Sequence, residues 1–419
     1  MLALAFAGAA SFSPSSLTPL VAPAPAAARR IQMEAKADHG TRNVRIIGVG
    51  ASAPSTRVSN AELEAVVETS DEWIAKRTGG SKRLAISPSR YHYLTIHNPH
   101  LFFSHPPTAL LTCIQTPPLT PVADAGIRAR HLLGPDEGLS DLATAAAASA
   151  LEQAGVDAAD VELVILATSS PDDLFGDAPC VARSIGATNA VAFDLTAACS
   201  GFLFGMNTAS QFLHTGAYKT AVVIGADALS RWVDWKDRNT CVLFGDGAGA
   251  VVMRAAEGGE EPGLLGFEMH SNGAGRPDLN CGYDYSDETR LAGVATVTSG
   301  AYNPIDMNGK EVFKFATTCV PKVLREGLEN AGVTPDDLDW VLLHQANIRI
   351  METVAKKLGV PMEKVLTNLD EYGNTSAGSI PLCLNQAVKE GKVKNGDLIA
   401  VAGFGAGLSW GSAVIRWGA

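Results

Sequence analysis

The apolar and polar positions of this chain fall into two similar blocks. Ala154 to Ser170, AGVDAADVELVILATSS, and Ala331 to Asn347, AGVTPDDLDWVLLHQAN, share one pattern at an offset of 177 residues (331 − 154). Each reads as a helix end, an acidic turn and a short apolar run that predicts a buried strand. Further along, Val191-Ala192-Phe193 predicts another buried strand, and Phe202 to Ala209 a buried helix rich in small residues. Each block then runs through a glycine-rich turn into an apolar strand, FGDGAGAVVM from Phe244 and FGAGLSWGSAVIRW from Phe404. Landmarks repeated in one order predict a duplicated α/β unit. The same offset sets Cys199 opposite Ser376, in YGNTSAGSIPL, both at small-residue helix starts. Matching helix starts meet near the axis of a pseudo-twofold fold, so Cys199 and the Asn374 region are expected to come together.

Composition narrows the function class. The chain has 419 residues, 46% of them apolar, and a net charge of −11. That supports one large α/β domain or two fused ones. The acidic balance argues against nucleic-acid and anionic-membrane partners, and no apolar run approaches the roughly 20 residues of a membrane span. Seven cysteines stand at 113, 180, 199, 241, 281, 319 and 383 with no CxxC pair, so neither a zinc site nor a disulfide framework is suggested and a reducing compartment fits.

Three residue types then carry candidate chemistry. A cysteine at a helix N-terminus gains thiolate character from free N–H groups and the helix dipole, which makes Cys199, in TAACSG, a candidate nucleophile. An isolated buried cysteine is more often a packing residue. His344, in VLLHQANIRI, stands at a strand end, where α/β sheets carry their sites, although alone it reads equally well as a satisfied core histidine. Asn374, in GNTSAG, stands in a turn before a helix and alone reads as a turn or cap residue. Together, Cys, His and Asn make a nucleophile with two hydrogen-bond donors, a set suited to thioester chemistry.

With these motifs assembled, the sequence resembles β-ketoacyl-[acyl carrier protein] synthase III of the thiolase superfamily. The resemblance runs from about Asn43 to Trp417 through TSDEWIAKRTG, AACSG, DRNT, FGDGAGA, GKEVFKFA, HQANIRI, GNTSAGS and GFGAGLSWGSA. PDDLFG and SRWVDWKDRNT resemble the plastid and cyanobacterial branch. The resemblance implies an α/β thiolase fold, with duplicated βαβαβαββ halves in five αβαβα layers, over 43–255 and 263–419. It implies a homodimer that initiates type II fatty-acid synthesis. Acetyl-CoA would acylate Cys199, and malonyl-carrier protein would then be decarboxylated and condensed to acetoacetyl-carrier protein. His344 and Asn374 would stabilise the enolate. Backbone N–H groups of Cys199 and of the turn from Phe404 to Gly407, where Ala406 replaces a common glycine, would form the oxyanion hole, with Phe404 shielding the site. For CoA, Trp73 and Arg238 would sandwich the adenine; Arg77, Thr78, Asn347 and Arg349 would serve the phosphate and pantetheine arms; Phe313 would line the tunnel. Phe175 would close the acyl pocket across the dimer. Lys314 and nearby basic residues form a candidate surface for the acidic carrier protein. No metal or redox cofactor is implied.

The resemblance also exposes a break. Family members run RTGIRxR without pause, whereas here Arg77-Thr78-Gly79 is parted from Gly126-Ile127-Arg128 by residues 80–125. That insert holds four of the nine histidines and seven of the 22 prolines, has no acidic residue before Asp124, and shows no useful helical or strand period. It resembles translated intron more than evolved protein; a lineage-specific loop is the alternative. Its histidines, at 92, 97, 100 and 105, fit no regular ligand spacing. Residues 1–40, rich in Ala, Ser and Pro with no acid before Glu34, have the composition of a plastid transit leader addressed to the stroma. Competing readings are a related synthase with a longer or branched primer, and a catalytically silent homologue that binds CoA or carrier protein. Elongating synthases, with Cys-His-His, are disfavoured by Asn374, and hydroxymethylglutaryl-CoA synthase by the lack of a glutamate in DLTAACSGF.

Overall fold

The computed structural model describes residues 43–79, 126–291 and 294–418; the leader and the insert lie outside them. Alternating positions along its strands feed different cores. Leu163 and Ile165 join one apolar cluster, and Val164 and Leu166 another. Successive side chains leave a strand on opposite faces, so these strands are covered on both sides.

Two five-stranded sheets result. The first contains β1 (Val44–Ser52), β2 (Leu163–Ala167), β3 (Val191–Leu195), β4 (Thr220–Ala228) and β5 (Asp246–Ala255), in the order β1-β5-β4-β2-β3. The second contains β6 (Leu264–Ser271), β7 (Trp340–Leu343), β8 (Val365–Leu366), β9 (Leu398–Gly405) and β10 (Ser409–Arg416), in the order β6-β10-β9-β7-β8. Numbered within each half, both read 1-5-4-2-3. The sense of pairing repeats as well: β2 and β7 pair in parallel with both neighbours, while β5 and β10 are antiparallel to both of theirs. The duplication predicted from the offset is therefore present strand by strand. One detail differs. Val191–Leu195 is an edge strand, half-exposed along its length, rather than the buried strand its composition predicts.

The main helices are α1 (Asp71–Thr78), α2 (Leu139–Ala154), α3 (Ala178–Ile185), α4 (Gly201–His214), α5 (Gly309–Ala331), α6 (Ile348–Leu358) and α7 (Ser379–Lys389). The repeat extends to their ends. Helices α2 and α5 both stop at a left-handed glycine, Gly155 (φ 63°) and Gly332 (φ 68°), where a side chain would be strained. Three apolar clusters fill the spaces between five layers, the middle one enclosing the central helices. Ala146 and Ala150 of α2 and Val181 of α3 cover Val222 and Ile224 of the first sheet. Phe202 and Met206 of α4, with Ile380 and Leu384 of α7, fill the space between Val223 and Val251 of the first sheet and Ile399 and Val401 of the second. Leu324 of α5 and Val354 of α6 cover Ala400 and Val414. The two central helices both begin at this midplane, which is where the offset placed Cys199 and Ser376.

The fold closes around the break in the family pattern. A Cβ built on Gly79 would lie 2.6 Å from Gly126 N, so the two glycines that flank the insert are in contact. Thr78 Oγ1 accepts from Ile127 N at 2.9 Å, the bond a Ser or Thr makes to the residue two positions on in a turn. The described fold is thus continuous from Thr78-Gly79 to Gly126-Ile127. Closing a loop as long as the insert costs about 3 kcal/mol. Deleting Gly80 to Gly126, which joins Gly79 to Ile127, is expected to give a folded protein with a higher Tm. A lower Tm in thermal unfolding would show that the insert packs on the described fold.

Candidate active site

The turn that carries Cys199 lies between β3 and α4. Ala198 has φ 48°, a conformation that costs a non-glycine residue about 1–2 kcal/mol. The turn is pinned from the second half. Ser200 Oγ donates to Ser409 O at 2.9 Å, and Ser409 Oγ lies 3.1 Å from Ala197 O. Gly405, at the end of β9, packs on the turn so closely that a Cβ there would meet Cys199 N at 2.6 Å. Cys199 itself is half-buried, with its Sγ 3.2 Å from Ser376 Oγ.

The thiol is held neutral, against the expectation from its place at a helix start. Burial pushes its pKa up to about 12; the hydrogen bond from Ser376 lowers it and the nearby Asp227 raises it. The residue sits on a 3-10 turn ahead of α4, and there desolvation and a neighbouring acid outweigh the helix dipole.

His344 follows the last residue of β7 and is fixed by its backbone N–H, which donates to Ala402 O at 2.8 Å. Its ring rests edge-on against Phe404, centroids 5.3 Å apart. Its Nδ1 lies 2.7 Å from Ser379 Oγ, which also accepts from Gln345 N at 3.4 Å. A Ser379 hydroxyl that donates to Nδ1 corresponds to the tautomer with the imidazole proton on Nε2. Burial lowers the His344 pKa to about 3, so the ring is neutral. Asn374 is pinned by its main chain, donating to Leu243 O at 2.9 Å and accepting from Gly245 N at 3.0 Å. Its Oδ1 accepts from Ser376 N at 2.9 Å, which assigns Nδ2 as the outward donor. Asn374 also lines a cavity of about 510 Å³, together with Arg77, Phe313, Asn347, Arg349 and Lys310.

The residues predicted for CoA divide in two. Arg77, Phe313, Asn347 and Arg349 share the cavity with Asn374. Asn347 and Arg349 also hold the end of α1, Asn347 Nδ2 donating to Arg77 O and Arg349 to Lys76 O and Gly79 O. Thr78 does not face the cavity: it is fully buried, with its hydroxyl donating to Ile74 O and accepting from Ile127 N. Trp73 and Arg238 meet each other directly, the guanidinium carbon 5.0 Å from the ring centroid. A planar base needs two stacking contacts of about 3.5 Å each, so adenine does not fit between them as they stand. Phe404 is buried beside His344, and Ala406 is half-buried in the turn that follows it. Phe175 is 97% exposed.

Sequence reasoning missed Asp227, Ser379 and the side chain of Ser376. Asp227 had a signal, an acid near the end of the otherwise uncharged strand TAVVIGADA. Among the described residues no group of His, Cys, Asp and Glu is arranged to hold a metal.

Comparison with known proteins fits this geometry. Residues 193–273 match the family 3-oxoacyl-[acyl-carrier-protein] synthase III, and residues 328–417 match its C-terminal part. The chain is 47% identical to the β-ketoacyl-[acyl-carrier-protein] synthase III of Trichormus variabilis over 375 residues, covering 90% of this chain and 98% of the relative. It is 48% identical to that of Acaryochloris marina over 373 residues, 89% of this chain and 97% of the relative. The chain belongs to the β-ketoacyl-[acyl carrier protein] synthase III family. Among solved structures, the 3-oxoacyl-[acyl-carrier-protein] synthase III of Aquifex aeolicus is 36% identical with a TM-score of 0.71, covering 89% of this chain and all of that one (100%). The priming β-ketosynthase of the R1128 polyketide pathway is 30% identical with a TM-score of 0.72, over 90% of this chain and 97% of the other. As a β-ketoacyl-[acyl carrier protein] synthase III, the chain has the thiolase fold and is an acyltransferase-type condensing enzyme that initiates fatty-acid synthesis.

Proposed function

We propose that the enzyme moves an acetyl group from acetyl-CoA to Cys199 and condenses it with malonyl-[acyl carrier protein], releasing CO2 and acetoacetyl-[acyl carrier protein]. The observation that carries this reading is the bond from Ser376 Oγ to Cys199 Sγ together with that from Ser376 N to Asn374 Oδ1, which joins the nucleophile through one residue to an outward amide donor that lines the cavity. Cys199 Sγ attacks the acetyl thioester, and the tetrahedral oxyanion is met by backbone N–H groups of Cys199 and of the turn around Ala406. Malonyl thioester then enters, with its carbonyl oxygen toward His344 Nε2–H and Asn374 Nδ2–H. Loss of CO2 places an enolate on that oxygen, where two neutral donors stabilise it as charge develops. The enolate carbon attacks acetyl-Cys199 and releases the product. Phe404, against His344, keeps the reacting end apolar and so favours loss of the charged carboxylate. No metal or redox cofactor enters these steps.

For substrates, Arg77, Asn347, Arg349 and Phe313 would receive CoA, and Trp73 would stack the adenine once Arg238 swings off its face. Lys310 and Lys314, near the cavity, would meet the acidic carrier protein. A homodimer is supported by the edge strand β3 and by the apolar Leu174 and Phe175, 81% and 97% exposed; across it, Phe175 would close the partner's acyl pocket. The leader composition supports a plastid stromal address. The test is peptide-resolved mass spectrometry after mixing with acetyl-CoA. Acetyl on the peptide that contains Cys199 is the expected result, and a folded enzyme that carries none there overturns the reading.

A further inference from the structure

His344 and Asn374 stand on separate loops, 30 residues apart in sequence (374 − 344), yet the condensation asks both to meet one oxygen. Gln345, next to His344 in HQAN, lies between those loops. It is fully buried, and the condensation steps leave it unused. Its amide bonds only to main chain. Nε2 donates to Leu343 O at 2.7 Å and to Leu366 O at 3.3 Å, and Oε1 accepts from Asn368 N at 3.1 Å. Leu343 and Leu366 are the last residues of the parallel neighbours β7 and β8. One side chain therefore forks across the ends of both strands and reaches the loop beyond them. At Asn368 that loop turns. The Asn368 carbonyl accepts from Glu371 N and Tyr372 N, each at 3.2 Å, across the single helical turn Leu369–Tyr372. Leu369 O then accepts from Gly373 N at 3.0 Å, and Asn374 follows. On its other side, Gln345 donates its N–H to Ser379 Oγ, the oxygen that also meets His344 Nδ1. A path of hydrogen bonds thus runs from one donor loop to the other through Gln345.

We propose that Gln345 is a positioning residue that holds His344 and Asn374 in register for the malonyl carbonyl oxygen. The inference rests on the reading of those two side chains as the donors to the enolate. The chemistry of the side chain fits the task. An amide offers two protons on its nitrogen and lone pairs on its oxygen, which is what two carbonyls and one N–H require. A carboxylate could not donate, and an ammonium could not accept. The fold itself does not demand a glutamine here. The 177-residue offset sets Ala167 opposite His344 and Thr168 opposite Gln345. In that half, which has no donor to hold, the Thr168 hydroxyl bonds to Asp227 Oδ1 and Ser170 N instead. Donors to an oxyanion act only if they are fixed before the charge develops, and a displacement of about 1 Å costs about 100-fold in rate. Among the described residues, Gln345 makes no hydrogen bond to Cys199 or to the turn that carries it, so acetyl transfer does not depend on it.

The test follows acetylation of Cys199 and CO2 release from malonyl thioester separately in Gln345→Met, which keeps the length of the side chain and loses all three of its bonds. CO2 release is expected to fall by about 100-fold, with acetylation near the unaltered rate and a lower Tm. A loss of stability alone would lower both half-reactions together, so equal losses, or CO2 release at the unaltered rate, overturn the inference. Adding Asn374→Ala to Gln345→Met should slow CO2 release less than Asn374→Ala does in the unaltered enzyme, because a displaced donor has less to lose. Full additivity of the two changes counts against the inference. Gln345→Glu carries the test if Gln345→Met does not fold. A buried acid that faces two carbonyls stays protonated, so it still accepts from Asn368 N and donates to one carbonyl. Its CO2 release should fall by about tenfold, the scale of one lost hydrogen bond, again with acetylation unchanged, and equal losses overturn the inference there too. Unaltered CO2 release in His344→Ala and Asn374→Ala would remove the donor reading and this inference with it. Loss in those variants, with none in Gln345→Met, removes the inference alone.

Discussion

Cys199→Ala is expected to lose condensation by a factor on the order of 10⁶, the scale on which removal of a covalent nucleophile acts, while the protein stays folded. The stability side is light. Cys199 is half-buried, and its side chain makes one hydrogen bond, from Ser376 Oγ. The turn is held by Ser200, Ser409 and Gly405, none of which depends on the sulfur. The chemical side is heavy, because without Sγ nothing carries the acetyl group between the two half-reactions. Malonyl decarboxylation has a different requirement. It draws on the donors of His344 and Asn374, which remain, so the variant should still release CO2 from malonyl thioester without forming product. Following CO2 and acetoacetyl product separately checks both halves. Condensation near the unaltered rate would remove Cys199 from the mechanism. Loss of CO2 release together with condensation, in a folded protein, would show that the sulfur also shapes the malonyl site.

What was legible in the sequence was mostly what the duplication repeats. The 177-residue offset that aligns Ala154 with Ala331 also aligns Cys199 with Ser376, and those two side chains meet at 3.2 Å. An offset can announce such a contact because duplicated halves place equivalent helix starts at their shared axis. Strand ends were legible for the same reason: β2 and β7 end where their apolar runs do, which puts His344 at the mouth of the second sheet. What depends on one neighbour from far along the chain was not legible. The thiol looked poised for ionisation at a helix start, but its pKa is set by burial and by Asp227, 28 residues on in sequence (227 − 199). Thr78 looked like a CoA ligand because Trp73 and Arg77 beside it did, yet its hydroxyl ties α1 to Ile127 across the insert. Val191 looked buried because apolar runs usually are; here the run is a sheet edge.

His344→Ala and Asn374→Ala should each slow decarboxylation and condensation by about 100- to 1,000-fold, the cost of roughly 3–4 kcal/mol for one donor to a developing oxyanion, while leaving acetylation of Cys199 near its unaltered rate. The split follows from the geometry. Neither side chain bonds to Cys199, and both present a proton: His344 through Nε2, with Nδ1 held by Ser379, and Asn374 through Nδ2, with Oδ1 held by Ser376. The two donors serve one oxygen, so the double variant should lose less than the product of the single losses. The neutrality of His344 adds a pH signature. Its folded pKa, about 3, lies below the ordinary 6.5, so the unfolded chain takes up a proton that the folded one refuses. Stability from this group is complete above about pH 6.5 and is lost as pH falls towards 3, by roughly 5 kcal/mol at the lower end. Single-turnover acetylation, CO2 release and acid-unfolding curves check the three consequences. His344→Ala should unfold at a lower pH than the unaltered enzyme, even though its empty site costs some stability at neutral pH. If acetylation of Cys199 falls as steeply as CO2 release, His344 acts on the thiol itself, and the neutral-donor role given to it here is wrong.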